Sequence, residues 1–495
     1  MRDFVKKLDD SSDILRIEKI AESTEGRDII TLIIANPMIK NYKDAINDKR
    51  VIVYIQANIH AGEVEGKEST QMLARHLVNN PESEILKKCI VLINPILNAD
   101  GNEKFSTKNR TNQNGPESVG VRHNGQHLDI NRDGIKLETP EVQGILKNVL
   151  NTWDPEVFVD CHTTNGSYHK EAVTFTWMMN PNADRELINY MRDKMMPQVH
   201  NDLLNKYNID NIFYGEFIDR LNIDKGWISY ASEPRYLVNY VGVRNRLAIL
   251  NENYVYADFK SRVNGSYHLL RSILDFAARN SAEIKNKIKL ADQRTIERGR
   301  NNLTTDSFAI KYKAYPTPEK VFIKAYEADT IPGVKGYWRY KQSDRQRNIT
   351  VDYYADYYPT KSIGIPFAYI IDIADKNIIE NLKTHGVEFE YLEKDILLEV
   401  EQFTFSSIKP SSRLNQGHYN NKIEGEFEIV DKEFKKGSIL VKTAQPLGWL
   451  VSYLLEPQTN DGLLYWNYFD KYLAPQWGGR YYPYPVYRLM EIKDL

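Results

Sequence analysis

The stretch IQANIHAGEVEG, residues 55–66, puts a histidine and two glutamates on a turn directly after an apolar run. Acidic residues favour a helix start, and a histidine beside them is often only structural. His60 and Glu63, three apart across a turn, can also face one metal ion. Two further apolar runs end in similar residues: VFVDC is followed by His162, and RLAILN by Glu252. In open α/β sheets the reacting groups collect at the carboxyl ends of the strands. Two imidazoles and two carboxylates are therefore expected along one sheet edge. Two His and one Glu form a ligand set for a catalytic zinc, with a fourth position left for water, whose pKa the metal lowers to about 7. Glu252 is then the spare carboxylate that takes the proton.

Between these residues lies NADGNEKFSTKNRTNQNGPESVGVRHNGQHLDINRD. HAGE, NADG, VRHNGQHLDINR and a late strand ending in Glu together resemble the zinc carboxypeptidases of the carboxypeptidase A-like family, over roughly residues 1–280. Arg122 stands nine residues before the pair Asn131–Arg132, the spacing of that family. The resemblance implies one zinc per chain, held by His60, Glu63 and His162. It makes Glu252 the general base and then acid, Arg122 the oxyanion stabiliser, and Asn131 and Arg132 the holders of a substrate's terminal carboxylate. Asp129 would orient His60, and a mobile tyrosine 22 residues before Glu252 would be Tyr230, with Tyr236 and Tyr240 as competitors. Arg235, Arg244 and Arg246 depart from the digestive-enzyme pattern and leave the side-chain specificity pocket open. If Glu252 were not the base, Glu65 would be next in line.

These residues need a scaffold of strands. DIITLII (28–34), RVIVYIQAN (50–58), KCIVLIN (88–94), EVFVDCH (156–162) and RLAILNEN (246–253) are continuous apolar runs, as strands covered on both faces require. Helical stretches alternate with them: EGKESTQMLARHLVNN sets Met72, Leu73, His76 and Leu77 on one face, and TPEVQGILKNVLNTW does so with Val142, Ile145 and Val149. The expectation is an α/β fold with a mixed, mostly parallel sheet covered by helices. A long helical stretch covers about 265–300. After it, alternating runs such as KVFIKAY and GSILVKT, and the Tyr-rich VDYYADYYPT and GGRYYPYPVY, read as β-rich. The division expected is a catalytic domain over 1–302 and a β-rich domain of unassigned role over 303–495.

With 495 residues, 42% hydrophobic and a formal net charge of −2, the chain has no general attraction for nucleic acid or anionic membrane. No apolar run approaches the roughly 20 residues of a bilayer span. Cys89 and Cys161 sit in apolar runs and read as buried hydrophobes. His-Glu-x-x-His, Gly-x-Ser-x-Gly and phosphate-loop motifs do not occur. His127 and His169 fall near the expected site, with structural roles favoured. The expected activity is hydrolysis of the C-terminal peptide bond of a peptide with a free carboxylate. The rivals are a zinc amidase on cell-wall stem peptides or other unusual amides, and a metal-free peptide- or glycan-binding module. The N-terminus has no hydrophobic signal region, so the location expected is cytoplasmic, or secreted or periplasmic if a leader has been trimmed.

Overall fold

The computed structural model describes residues 1–230, 232–301, 306–336, 339–475 and 477–491. Up to residue 254 the strands are β1 Leu15–Glu22, β2 Asp28–Ile34, β3 Val51–Ala57, β4 Cys89–Asn94, β5 Val157–Thr164, β6 Val173–Trp177, β7 Asn211–Phe213, β8 Glu216–Phe217, β9 Trp227–Ile228 and β10 Leu247–Tyr254. Eight of them form one mixed sheet in the order β1-β2-β4-β3-β5-β10-β6-β7. The central neighbours β4, β3, β5 and β10 run parallel, and β1–β2, β2–β4 and β10–β6 are antiparallel. β3, β4 and β5 are buried along their whole length, which is why they read as unbroken apolar runs.

Helices cover the sheet. Glu65–Val78 buries Gly66, Ser69, Thr70, Leu73, Ala74 and Leu77. Met72 and His76 are only half-buried, so the inward stripe is rotated from the one expected and is made of smaller residues. Small residues let this helix approach closely: a Cβ on Gly66 would stand 2.6 Å from the Cβ of Cys161 on β5. Val142, Ile145 and Val149 are fully buried, as their spacing implied. The long helical stretch divides at Asn280 into Phe259–Arg279 and Ser281–Asn301. No described helix is long and apolar enough to cross a membrane.

Beyond residue 306 lie β11 Ser307–Pro316, β12 Val321–Thr330, β13 Tyr340–Val351, β14 Tyr353–Gly364, β15 Ala368–Ile371, β16 Glu390–Tyr391, β17 Ile396–Pro410, β18 Asn421–Phe434, β19 Ile439–Lys442 and β20 Val486–Leu489. Six of these form a second sheet, β16-β19-β15-β20-β17-β18, accompanied by the helices Lys376–His385 and Gly448–Leu455. This region is sewn to the first. β11 and β14 share a four-stranded sheet with β9 and β8. Leu450, Val451 and Leu454 belong to the same buried cluster as Ile284 and Ile288. The Tyr-rich run supplies further locks: the Tyr353 hydroxyl donates to the Tyr214 carbonyl and that of Tyr357 to the Ser229 carbonyl, each at 2.8 Å. Those tyrosines are joints of the fold.

Candidate active site

Parallel pairing of β3, β5 and β10 brings three strand ends together. Glu252 lies opposite His162 in the β10–β5 register, and Ala57 opposite Cys161 in β3–β5. After β3 the chain turns through Asn58 at φ +60°, whose side-chain amide donates to the carbonyls of Ala61 and Glu63. The Glu63 N–H closes the turn on the His60 carbonyl at 2.9 Å. His60, Glu63 and His162 are all buried.

Their donor atoms converge. Nδ1 of His60 lies 3.1 Å from Glu63 Oε1, Nδ1 of His162 lies 3.0 Å from Glu63 Oε2, and the two Nδ1 atoms are 3.2 Å apart. Each imidazole is committed on its far side: Nε2 of His60 to Asp129 Oδ1 at 2.9 Å, and Nε2 of His162 to Asp160 Oδ2 at 3.1 Å. Two imidazoles backed by carboxylates thus aim their near nitrogens at one point beside a third carboxylate. Ligand bonds of about 2.0–2.1 Å around a tetrahedral zinc give edges of about 3.3–3.4 Å, close to these separations. The residues fit zinc, and the far-side carboxylates are the partners that fix ring orientation.

The electrostatics agree. Burial alone would lift the Glu63 carboxyl, but His60, Arg110 and His162 hold it well below the usual range. Asp129 is likewise held low by His60, Arg132 and Arg122 against its burial. Burial would lower His162, yet Asp160 and Glu63 raise it well above its ordinary value. Glu252 is half-buried, and desolvation pushes its carboxyl up to about 8, with His162 opposing and Glu63 adding to the rise.

The remaining expected residues lie around this set. Arg122 is 39% exposed and donates through Nε to Asp129 Oδ2 at 2.9 Å, while its Nη1 stands 3.5 Å from Glu63 Oε1. Arg132 rests its guanidinium on the Tyr236 ring, 4.5 Å from the centroid, donates to the Asn131 carbonyl, and is 3.8 Å from Asp129. The Asn131 amide is turned inward: Nδ2 faces His162 Nε2 at 3.3 Å and Oδ1 accepts from the Leu237 N–H. Of the three tyrosines, Tyr240 is fully buried against His385 and Arg244, Tyr236 carries Arg132, and Tyr230 keeps 44% of its surface open. Glu65 is sealed away, accepting from Thr163 Oγ1 and pairing with the fully buried Arg262 at 3.2 Å. That placement makes it a brace and unsuits it as a substitute base. Arg244 and Arg246 hold structural groups as well, Arg246 bridging Asp154 and Asp292. His169 is buried and stacked on Tyr254; His127 is exposed.

Two side chains at the site carried no expectation. Arg110 donates to Glu63 Oε1 at 2.8 Å and to the Thr163 carbonyl at 3.0 Å. Asp160 was legible in principle, because it precedes His162 by two on one strand and so shares its face. NADG gains a reason too. Asn98 donates to the carbonyls of Ile59 and Arg122, tying the His60 turn to the Arg122 loop, and a Cβ on Gly101 would stand 2.6 Å from the Val121 carbonyl oxygen.

Residues 1–169 match the family described as zinc carboxypeptidase. No curated protein matches the chain by sequence. Among solved structures, a metallo-carboxypeptidase from Burkholderia cenocepacia shares 14% identity over 56% of this chain and 67% of its own, with a TM-score of 0.41. A metallo-carboxypeptidase from Pseudomonas aeruginosa, in complex with (2-guanidinoethylmercapto)succinic acid, shares 17% over 57% and 68%, at 0.40. Bovine thrombin-activatable fibrinolysis inhibitor, in complex with tick carboxypeptidase inhibitor, shares 14% over 58% and 95%, at 0.36. Likeness at this level fixes no substrate. Over residues 1–169 the chain is therefore similar to the zinc carboxypeptidases, and within that stretch His60, Glu63 and His162 converge as a set that could hold a metal ion.

Proposed function

We propose that the protein is a zinc-dependent metallocarboxypeptidase that removes C-terminal residues from peptides. His60, Glu63 and His162 would hold the metal. Zinc, when bound, acidifies water and polarises a carbonyl. Glu252 takes the proton of the attacking water and delivers it to the leaving nitrogen, work suited to a carboxyl whose pKa burial has raised toward neutrality. Arg122, the most exposed of the cations at the ligand set, supplies donors to the oxygen on which charge develops. Asp129 and Asp160 orient the two imidazoles, and Arg110 holds the Glu63 carboxylate.

The observation that carries the exopeptidase reading is Arg132. Its guanidinium lies over Tyr236, 4.5 Å from the ring centroid, and its nearest carboxylate, Asp129, is 3.8 Å away, so a substrate carboxylate can reach the donors not used on the Asn131 carbonyl. Because the Asn131 side-chain oxygen already accepts from the Leu237 N–H, capture falls mainly on Arg132, with Tyr230, 44% exposed, as the group that covers the substrate. Comparing one good peptide with its C-terminal amide tests this. The free acid should be cut one residue from its end and the amide spared; equal cleavage would indicate an amidase or endopeptidase on the same zinc site. Absence of stoichiometric zinc in purified protein would favour a binding module.

A further inference from the structure

A cleft of about 1570 Å³ lies between the β17–β18 hairpin, the β11–β14 pair and residues 457–475 and 479–481. Six cations line it: Lys311, Lys361, Lys409, Arg413, Lys422 and Arg480. All six are exposed, and none of them forms an ion pair among the described residues; Lys361 reaches only the Gln458 side-chain oxygen, at 3.4 Å. Their arrangement is unusual. Lys409 stands directly opposite Lys422 in the β17–β18 register, and Lys311 directly opposite Lys361 in β11–β14. Like charges directly opposite on paired strands are destabilising. Two such pairs on two separate ladders face one cavity in a chain whose net charge is −2. Three carboxylates, Glu424, Glu426 and Glu428, also line the cleft, but they follow one another along β18, away from the hairpin tip that carries Arg413. The end of the cleft nearest the tip is therefore basic.

That tip also reaches the active site. Gln416 accepts from the Asp129 N–H at 2.7 Å, and Asp129 is the carboxylate on His60. His418 pairs with Glu138 at 2.8 Å. Tyr465, which also lines the cleft, carries the Arg235 guanidinium at 5.2 Å, and the next residue, Tyr236, carries Arg132. From these two links to the active site and the lysine pairs without ion-pair partners we infer that the cleft receives the upstream part of the substrate, and that this part is an acidic polypeptide segment rich in Asp or Glu. The inference rests on the peptidase reading for the identity of the ligand. A polypeptide is favoured over another polyanion because β18 is the edge strand of its sheet, with an outer row of backbone groups to which an extended chain can pair.

The test uses the full chain and peptides of about ten residues, which extend to about 33 Å. The peptides share one C-terminal residue and carry acidic, neutral or basic upstream halves. Binding is read by fluorescence anisotropy and cleavage by kcat/KM. The acidic peptide should bind and turn over about tenfold better than the neutral one or more, an advantage that shrinks as salt rises. The double variant Lys361→Glu/Lys422→Glu converts both opposed pairs into ion pairs, so it should fold at least as well. It should abolish the acidic preference and leave a dipeptide, too short to reach the cleft, cut as before. Equal binding of acidic and neutral peptides, or an acidic preference that survives the double variant, overturns the inference. So does a sulfated polysaccharide or single-stranded DNA that binds the cleft while acidic peptide does not. Acidic peptides bound through these lysines but never cleaved would leave the cleft standing and remove the carboxypeptidase reading.

Discussion

At the ends of β3 and β5 the buried carboxylates meet cationic or imidazole partners within the fold, whereas the four opposed lysines of the basic cleft form no ion pair among the described residues. Glu63 is held by two imidazoles and Arg110, Asp129 by His60 and Arg122, and Asp160 by His162. These groups are buried, where an uncompensated charge is costly, so the chain must bring its own partners. The cleft lysines are exposed, and water makes their opposition tolerable at modest cost. Chemistry is preorganised in the first region, and recognition is left to an incoming ligand in the second.

The comparison is sharpened most by Glu252→Gln. Glu252 is outside the ligand set, so zinc should remain bound while kcat falls by about 10²–10⁴-fold or more. Zinc analysis beside steady-state kinetics checks both halves, and a wild-type rate would send the search to another base. Next comes Arg122→Ala. Loss of a donor to the developing oxyanion should lower kcat by about 10²–10³-fold with KM little changed. A rise in KM alone would turn Arg122 into a substrate-binding group.

Arg110→Ala probes the compensation itself. Without the guanidinium 2.8 Å from Glu63, zinc affinity should fall by about 10–100-fold, as it does when partners of metal ligands are removed. Competition with a chelator measures it, and unchanged affinity would make Arg110 a loop brace only. The smallest effect has the opposite sign. Lys409→Ala removes one of two opposed lysines and should stabilise the fold by about 0.2–1 kcal/mol at low salt, with the gain shrinking as salt rises. Denaturant unfolding would show it, and a loss of stability would mean that Lys409 has a partner within the fold.

Legible in the sequence by itself were the buried apolar strands and the reactive residue types at their ends, His60, Glu63, His162 and Glu252, of which the fold brings the first three together. A buried strand is a continuous apolar run, and the residue after it falls at a known edge of the sheet. Asp160 was also within reach, two residues before His162 on the same face. Only the tertiary structure decided the rest. Arg110 meets Glu63 because of how one loop folds back over the His60 turn, and no spacing between them announces it. Gln416 reaches Asp129 across 287 residues of chain. Lys409 faces Lys422, and Lys311 faces Lys361, through strand register, and a slip of one residue would have sent those side chains to opposite faces. Local pattern places a residue on an element. Which charges end up compensated, and which wait for a ligand, depends on contacts between elements that the chain brings together only on folding.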